Sequence, residues 1–215
     1  MENPDQMKST VSSKLFPLLA DAFDGQRGLQ ILDLGAAQPE TVNFFAEYRC
    51  RLYLADINCE YAAARELNPC VLDNKESDQE LSLLFRELLN FPEGTRFDIC
   101  LFWDFFNYLD LPALRAFSSA LVPYLHGNTK GHGFCLSNRK NPLPNQNYSV
   151  LDRGSFVCRE RAEKQLPVYP HGQGVLGQND FCLQVSKSLL LADGRIEMLL
   201  TAGEAKSTDR KQASG

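Results

Sequence analysis

Two carboxylates and a glycine offer the first chemistry in this chain. Ile31-Leu32-Asp33-Leu34 is a short apolar run that ends at Gly35, and Ala36-Ala37-Gln38-Pro39 leads into a segment with Val42, Phe45 and Ala46 at helical spacing. In such a strand, turn and helix, Gly35 lets a ligand approach the backbone, and the helix N-terminus presents unpaired N–H groups to a negative group. Asp56 closes a second β-type run, 51–56. A carboxylate at the end of a second parallel strand is placed to accept two ribose hydroxyls. Asp104 and Asn107 stand just past a third apolar run, 97–103, where they would face the same crevice and orient an acceptor or a ligand's amino group. Asp104 can equally cap the next helical turn. Trp103 and Phe105 either wall a ligand or belong to the core.

A scaffold must bring these residues to one edge. Residues 9–24 carry Leu15, Leu18, Leu19, Ala22 and Phe23 at helical spacing, with Pro17 in a first turn or dividing the segment. Tyr61 to Leu67 reads as helix until Asn68-Pro69, Cys70 to Leu72 as a third strand, and 78–90 as helix from Leu81, Leu84, Phe85 and Leu88. The run 97–103 is apolar throughout, the pattern of a strand buried on both faces. Leu114, Phe117, Leu121 and Tyr124 mark a further helix, and 132–137 another strand. This alternation predicts an α/β fold, a single doubly wound Rossmann-like sheet that is mostly parallel with right-handed crossovers. Residues 138–178 are rich in Asn, Pro and turn formers and read as a long surface excursion or lid, with Tyr148, Tyr169 and His171 as exposed loop residues or as groups reaching over the pocket. Two β-type runs, 181–191 and 195–201, flank Asp193-Gly194, a hairpin signal, so the sheet ends antiparallel. The organisation expected is one domain over 1–201 and a polar, flexible tail over 202–215.

With 215 residues, 44% hydrophobic and 14 Phe, the chain can build one ordinary core. A net charge of −5 argues against an extensive nucleic-acid footprint or an anionic membrane surface. No apolar run is long enough to span a bilayer and the first residues lack the plan of a secretory signal, so a cytoplasmic protein is expected. Seven cysteines without C-x-x-C spacing point to reduced thiols. His126, His132 and His171 have no evident nucleophile and acid partners and no close metal-ligand spacing, so neither a hydrolytic triad nor a metal site is expected. A nicotinamide fingerprint would need glycine at Ala37 and Glu40.

The residues at the first turn resemble those of the class I S-adenosylmethionine-dependent methyltransferases. Asp33 and Gly35 match the start of that family's acidic and glycine-rich turn, Asp56 its acidic ribose ligand, and Phe97 to Asp104 followed by Phe105 to Leu109 its fourth strand. The resemblance spans most of residues 10–201 and implies a seven-stranded sheet with its last strand antiparallel. It implies S-adenosylmethionine along Asp33, Gly35, Ala37, Asp56 and Trp103, with Asp73 near the adenine. The acceptor, a small molecule or a protein, is expected near Asp104, Asn107 and the 138–178 excursion. Ala37 and Pro39 replace the family's second and third glycines. That departure motivates the alternative of a catalytically silent fold that serves as a binding or regulatory protein with a protein partner.

Overall fold

The computed structural model describes residues 8–23, 28–67, 78–136, 138, 140–171, 176 and 181–202. In chain order the strands are β1 (Lys8–Ser12), β2 (Leu29–Asp33), β3 (Cys50–Leu54), β4 (Ile99–Trp103), β5 (Lys130–Leu136), β6 (Gln146–Asp152), β7 (Ser155–Glu160), β8 (Leu183–Leu190) and β9 (Arg195–Ala202). The helices are α1 (Ala20–Phe23), α2 (Pro39–Ala46), α3 (Ile57–Leu67), α4 (Asp78–Leu88) and α5 (Leu111–Leu121).

Among the described residues six strands form the central sheet, in the order β3-β2-β4-β5-β9-β8. β2 pairs in parallel with both β3 and β4, and β4 with β5, whereas β9 runs antiparallel to β5 and β8. The chain leaves β2 for β3 on one side and returns for β4 on the other. The order therefore reverses between β2 and β4, which is where doubly wound sheets form ligand crevices. This is the mainly parallel α/β sheet with a C-terminal antiparallel hairpin that the sequence implies. The expected strand at 70–72 and Asp73 lie outside the described residues, as do residues 203–215 of the expected tail; Ala202 closes β9.

Every residue of β4 is buried, which is why its sequence does not alternate. Its side chains feed two cores in turn. Cys100 and Phe102 join Leu32, Phe85, Phe117 and Leu121 on one face, while Ile99, Leu101 and Trp103 join Ile31, Phe16, Phe44 and Phe45 on the other. The helix that follows β4 starts cleanly because the Asp110 carboxylate accepts the Ala113 N–H at 3.0 Å and Pro112 needs no donor partner in a first turn. Asp110→Ala is expected to cost about 1 kcal/mol in a denaturant titration; a change under a few tenths would show that the cap is dispensable.

Two stretches depart from the sequence expectation. Residues 8–12 are strand rather than the start of a helix over 9–24; helical geometry is confined to a 3-10 turn at 16–19, which contains Pro17, and to α1. The cause is remote, since β1 pairs with β7, setting Val11 against Phe156. Residues 138–178 likewise contain an antiparallel hairpin, β6 and β7, which with β1 makes a second sheet in the order β1-β7-β6. Its inner side chains, Tyr148, Val150, Phe156 and Cys158, pack into the core beside α2. Tyr148 and His171 are consequently buried rather than exposed; the His171 Nε2 lies 3.1 and 2.8 Å from the carbonyl oxygens of Phe106 and Leu109. The small sheet is fastened to α2 by polar contacts as well. Glu40, in the first turn of α2, pairs with Arg159 and, at 3.1 Å, with Lys8, while the Val150 N–H donates to Thr41 Oγ1 at 3.0 Å. The Arg159 hydrogen bond is the main reason the Glu40 carboxyl is held at about 2.

Candidate functional site

The ends of β2 and β3 are laced together by the main chain. The Ala55 N–H donates to the Asp33 carbonyl at 2.9 Å, Asp56 to that of Gly35 at 3.2 Å, and Ile57 to that of Leu34 at 3.0 Å. Asp56 takes a φ of 37°, a left-handed conformation that aspartate tolerates, and its carbonyl accepts from Cys59 and Glu60 as α3 begins. This turn sets Asp56 in the wall of a cavity of about 220 Å³, completed by Ala36, Asn58, Asn147, Arg161 and Lys164 among others. Asn58 is only 6% exposed, yet its Oδ1 has no hydrogen-bond partner among the described residues. That oxygen has almost no accessible surface of its own, so it is an unpaired acceptor behind the wall rather than on it. Burial raises the Asp56 carboxyl above the usual aspartate range, against the lowering effects of the Arg161 charge and the Cys59 N–H.

Directly beside this cavity the crevice is closed. Trp103 has a φ of 51°, strained for a bulky residue, and follows a register shift in the pairing of β4 with β5. Its indole Nε1–H donates to Asp33 Oδ1 at 2.5 Å, and a second donor, the Gly35 N–H, reaches the same oxygen at 2.8 Å. A methyl group built on Gly35 would stand 2.9 Å from the indole nitrogen, so only glycine allows the approach. The ring is stacked on Tyr148, 5.3 Å between centroids and 4° between planes, and meets the edge of Phe156. Tyr148 stacks in turn on Phe134, and its hydroxyl accepts from Arg195 at 2.7 Å.

The sequence-nominated residues thus separate into two groups. Asp56 lines the open cavity, with Ala36 in the place expected for Ala37, which is exposed and off the wall. Asp33, Gly35 and Trp103 lie together beneath the surface, so Trp103 is a core residue rather than a cavity wall. Asp104 is fully buried with Oδ1 unpartnered and the Tyr108 hydroxyl 3.3 Å from Oδ2; it makes no side-chain cap on the 3-10 turn 105–108. Burial pushes its carboxyl up to about 6 in spite of Arg161 and Tyr108. Asn107 is not free to orient a ligand. Its amide donates to the carbonyls of Asp104 and Phe134 at 2.9 and 3.0 Å, and its Oδ1 accepts the Leu136 N–H at 2.7 Å, riveting the end of β4 to β5. Sequence reasoning missed Asn58, two residues beyond Asp56, and Arg161, whose guanidinium donates to Asn147 Oδ1 at 3.0 Å and to the Gln146 carbonyl at 2.9 Å.

No protein-family model and no curated protein matches the chain. Solved structures similar in fold include an S-adenosylmethionine-dependent methyltransferase from Clostridium acetobutylicum, 14% identical, with 81% of this chain and 84% of that one covered at a TM-score of 0.45. A 1,6-didemethyltoxoflavin-N1-methyltransferase from Burkholderia thailandensis is 12% identical over 94% of this chain and 97% of its own, with a TM-score of 0.44. A protein from Pyrococcus horikoshii is 14% identical over 88% of each chain, with a TM-score of 0.46. The site itself is defined by the strand order and the Asp56 turn rather than by these distant likenesses. Among the described residues no helix is long and apolar enough to cross a membrane.

Proposed function

We propose that the chain is an S-adenosylmethionine-dependent methyltransferase whose donor enters by its nucleoside half at the Asp56 cavity. The observation that carries the reading is the placement of Asp56 in the wall of a cavity at the switch point of the sheet. Asp56 would accept the ribose hydroxyls. When bound, the donor supplies an activated methyl group. The amino-acid half of that donor does not fit the present conformation, because Trp103 fills the space over Gly35. With a net charge of −5 the acceptor is proposed as a small molecule or a protein rather than bulk nucleic acid. The closed subsite also favours a second reading, a catalytically silent binding protein of the same fold.

Thermal unfolding and calorimetric titration with adenosine, S-adenosylmethionine and S-adenosylhomocysteine test the proposal. At a hundred times its dissociation constant a ligand adds about 2.7 kcal/mol, which should raise the midpoint by about 5–10 °C. Asp56→Ala is expected to abolish the shift. No shift and no heat at millimolar concentrations of all three would overturn nucleoside binding. Binding without methyl transfer to any acceptor in a small-molecule and protein screen would favour the silent protein.

A further inference from the structure

We infer that Trp103 is a specificity-determining residue that occupies the subsite next to the nucleoside cavity, so that the amino-acid half of the donor enters only by displacing the indole. The inference rests on the nucleoside reading of the Asp56 cavity and goes beyond it by naming what the neighbouring space excludes.

The cavity and the plugged space are consecutive along two separate segments. In the first turn Gly35 lies against the indole and Ala36 lines the cavity; in β6 Tyr148 stacks on the indole and Asn147 lines the cavity. A ligand held by Asp56 and extended along the Gly35 backbone therefore runs into Trp103. The indole is anchored there by the Asp33 hydrogen bond and by Tyr148 and Phe156, at 1% exposure. Asp33, which accepts the indole N–H through Oδ1, has no hydrogen-bond partner for Oδ2 among the described residues although it is buried. A buried orphan acceptor is costly, and one on the carboxyl that holds the indole marks a polar group that the ring leaves half satisfied. The strained backbone at Trp103 points the same way, since a left-handed bulky residue persists only where its surroundings hold it. An ammonium group that pairs with the Asp33 carboxyl has to displace the ring. Adenosine has no such group and leaves the ring in place.

The chain contains a single tryptophan, so its emission reports this one position. Titrations of wild type, Trp103→Ala and Trp103→Phe with adenosine and with S-adenosylhomocysteine decide the matter. Trp103→Ala should raise affinity for S-adenosylhomocysteine relative to adenosine by at least tenfold, and Trp103→Phe, which keeps a ring without the N–H and guards against a misfolded alanine variant, by a smaller factor. In wild type the indole emission should move when S-adenosylhomocysteine binds and stay fixed with adenosine. The inference is overturned by an unchanged affinity ratio in both variants, or by S-adenosylhomocysteine binding wild type tenfold more tightly than adenosine with no change in emission. If neither ligand binds wild type or either variant, the nucleoside reading itself fails, and this inference with it.

Discussion

Glu197→Ala is expected to destabilise the fold by about 3–5 kcal/mol, because it leaves several buried donors without an acceptor at about 1–3 kcal/mol each. Glu197 lies fully buried on β9, with its Oε1 2.9 Å from the Nε2 of His132 on β5. The same carboxylate accepts the Ser13 hydroxyl in a very short bond, the Lys14 N–H at 3.1 Å and the Leu15 N–H at 3.2 Å, and the Ser13 oxygen accepts the Phe16 N–H at 2.9 Å. One side chain thus clamps the joint between β1 and the 3-10 turn to the middle of the central sheet. Burial opposes its charge, but His132, Ser13 and the Lys14 N–H outweigh burial and hold the carboxyl at about 2. The folded value lies below the ordinary 4.5, so this stabilisation is complete above about pH 4.5 and is lost as pH falls through about 2. Urea titrations at pH 7 and pH 3 check both points. Glu197→Gln, which keeps one of the two acceptor oxygens, should lose less; a loss under 1 kcal/mol for the alanine variant at pH 7 would show that the clamp is held by packing alone.

Asp33→Asn should flatten the dependence of stability on pH between about 4 and 7. Burial pushes the Asp33 carboxyl up to about 7, overriding the hydrogen bonds from Trp103 and Gly35, with the Asp56 charge acting in the same direction. The folded chain therefore keeps a proton that the unfolded chain releases near 3.8. Between the two values the folded state binds more protons, and stability falls as pH rises. A shift of about three units corresponds to something on the order of 4 kcal/mol over the whole window. Asp104, raised to about 6, adds a slope of the same sign. Asparagine cannot ionise, so the variant should gain on wild type on going from pH 5 to pH 8. Guanidinium titrations of both proteins at the two pH values give the difference, and an identical difference at both would sink the assignment. Wild-type indole emission should also titrate near pH 7, because Trp103 donates to this carboxyl.

The relation of this pH slope to ligand binding is direct. The same carboxyl that destabilises the folded state when ionised is the acceptor that anchors Trp103 over Gly35. A cationic group arriving beside it would offset the desolvation of its charge, so a ligand that reaches the subsite should bind more tightly once Asp33 has ionised. Adenosine, which stops at Asp56, should show no such dependence.

Much of this architecture is written in local patterns. The buried run 99–103, the helix at 78–88 with Leu81 and Phe85 inward, and the hairpin around Asp193-Gly194 need only neighbours along the chain to be read. Asp33, Gly35 and Asp56 were legible for the same reason, since a strand, a tight turn and a helix N-terminus constrain residues a few positions apart. Asn58 was less so, because nothing in a D-x-N spacing tells whether the amide oxygen finds a donor. Lys8–Ser12 carries no signal of its own for strand; it becomes one because β7 offers an open edge. Asn107 has the composition of a ligand-orienting residue and is used up instead by three main-chain partners.

The sequence alone determined that a mainly parallel α/β sheet would carry a carboxylate at the end of each of its first two strands, because periodicity, turn chemistry and strand alternation are short-range properties. Only the tertiary structure decided which carboxylate would meet a cavity. Asp56 stays on the wall because its turn is laced to Gly35, and Asp33 is sealed because Tyr148, more than a hundred positions along the chain, brings a ring that holds Trp103 above it. That choice depends on the register of β6 and on the left-handed turn at Trp103, both set by packing between segments distant in sequence.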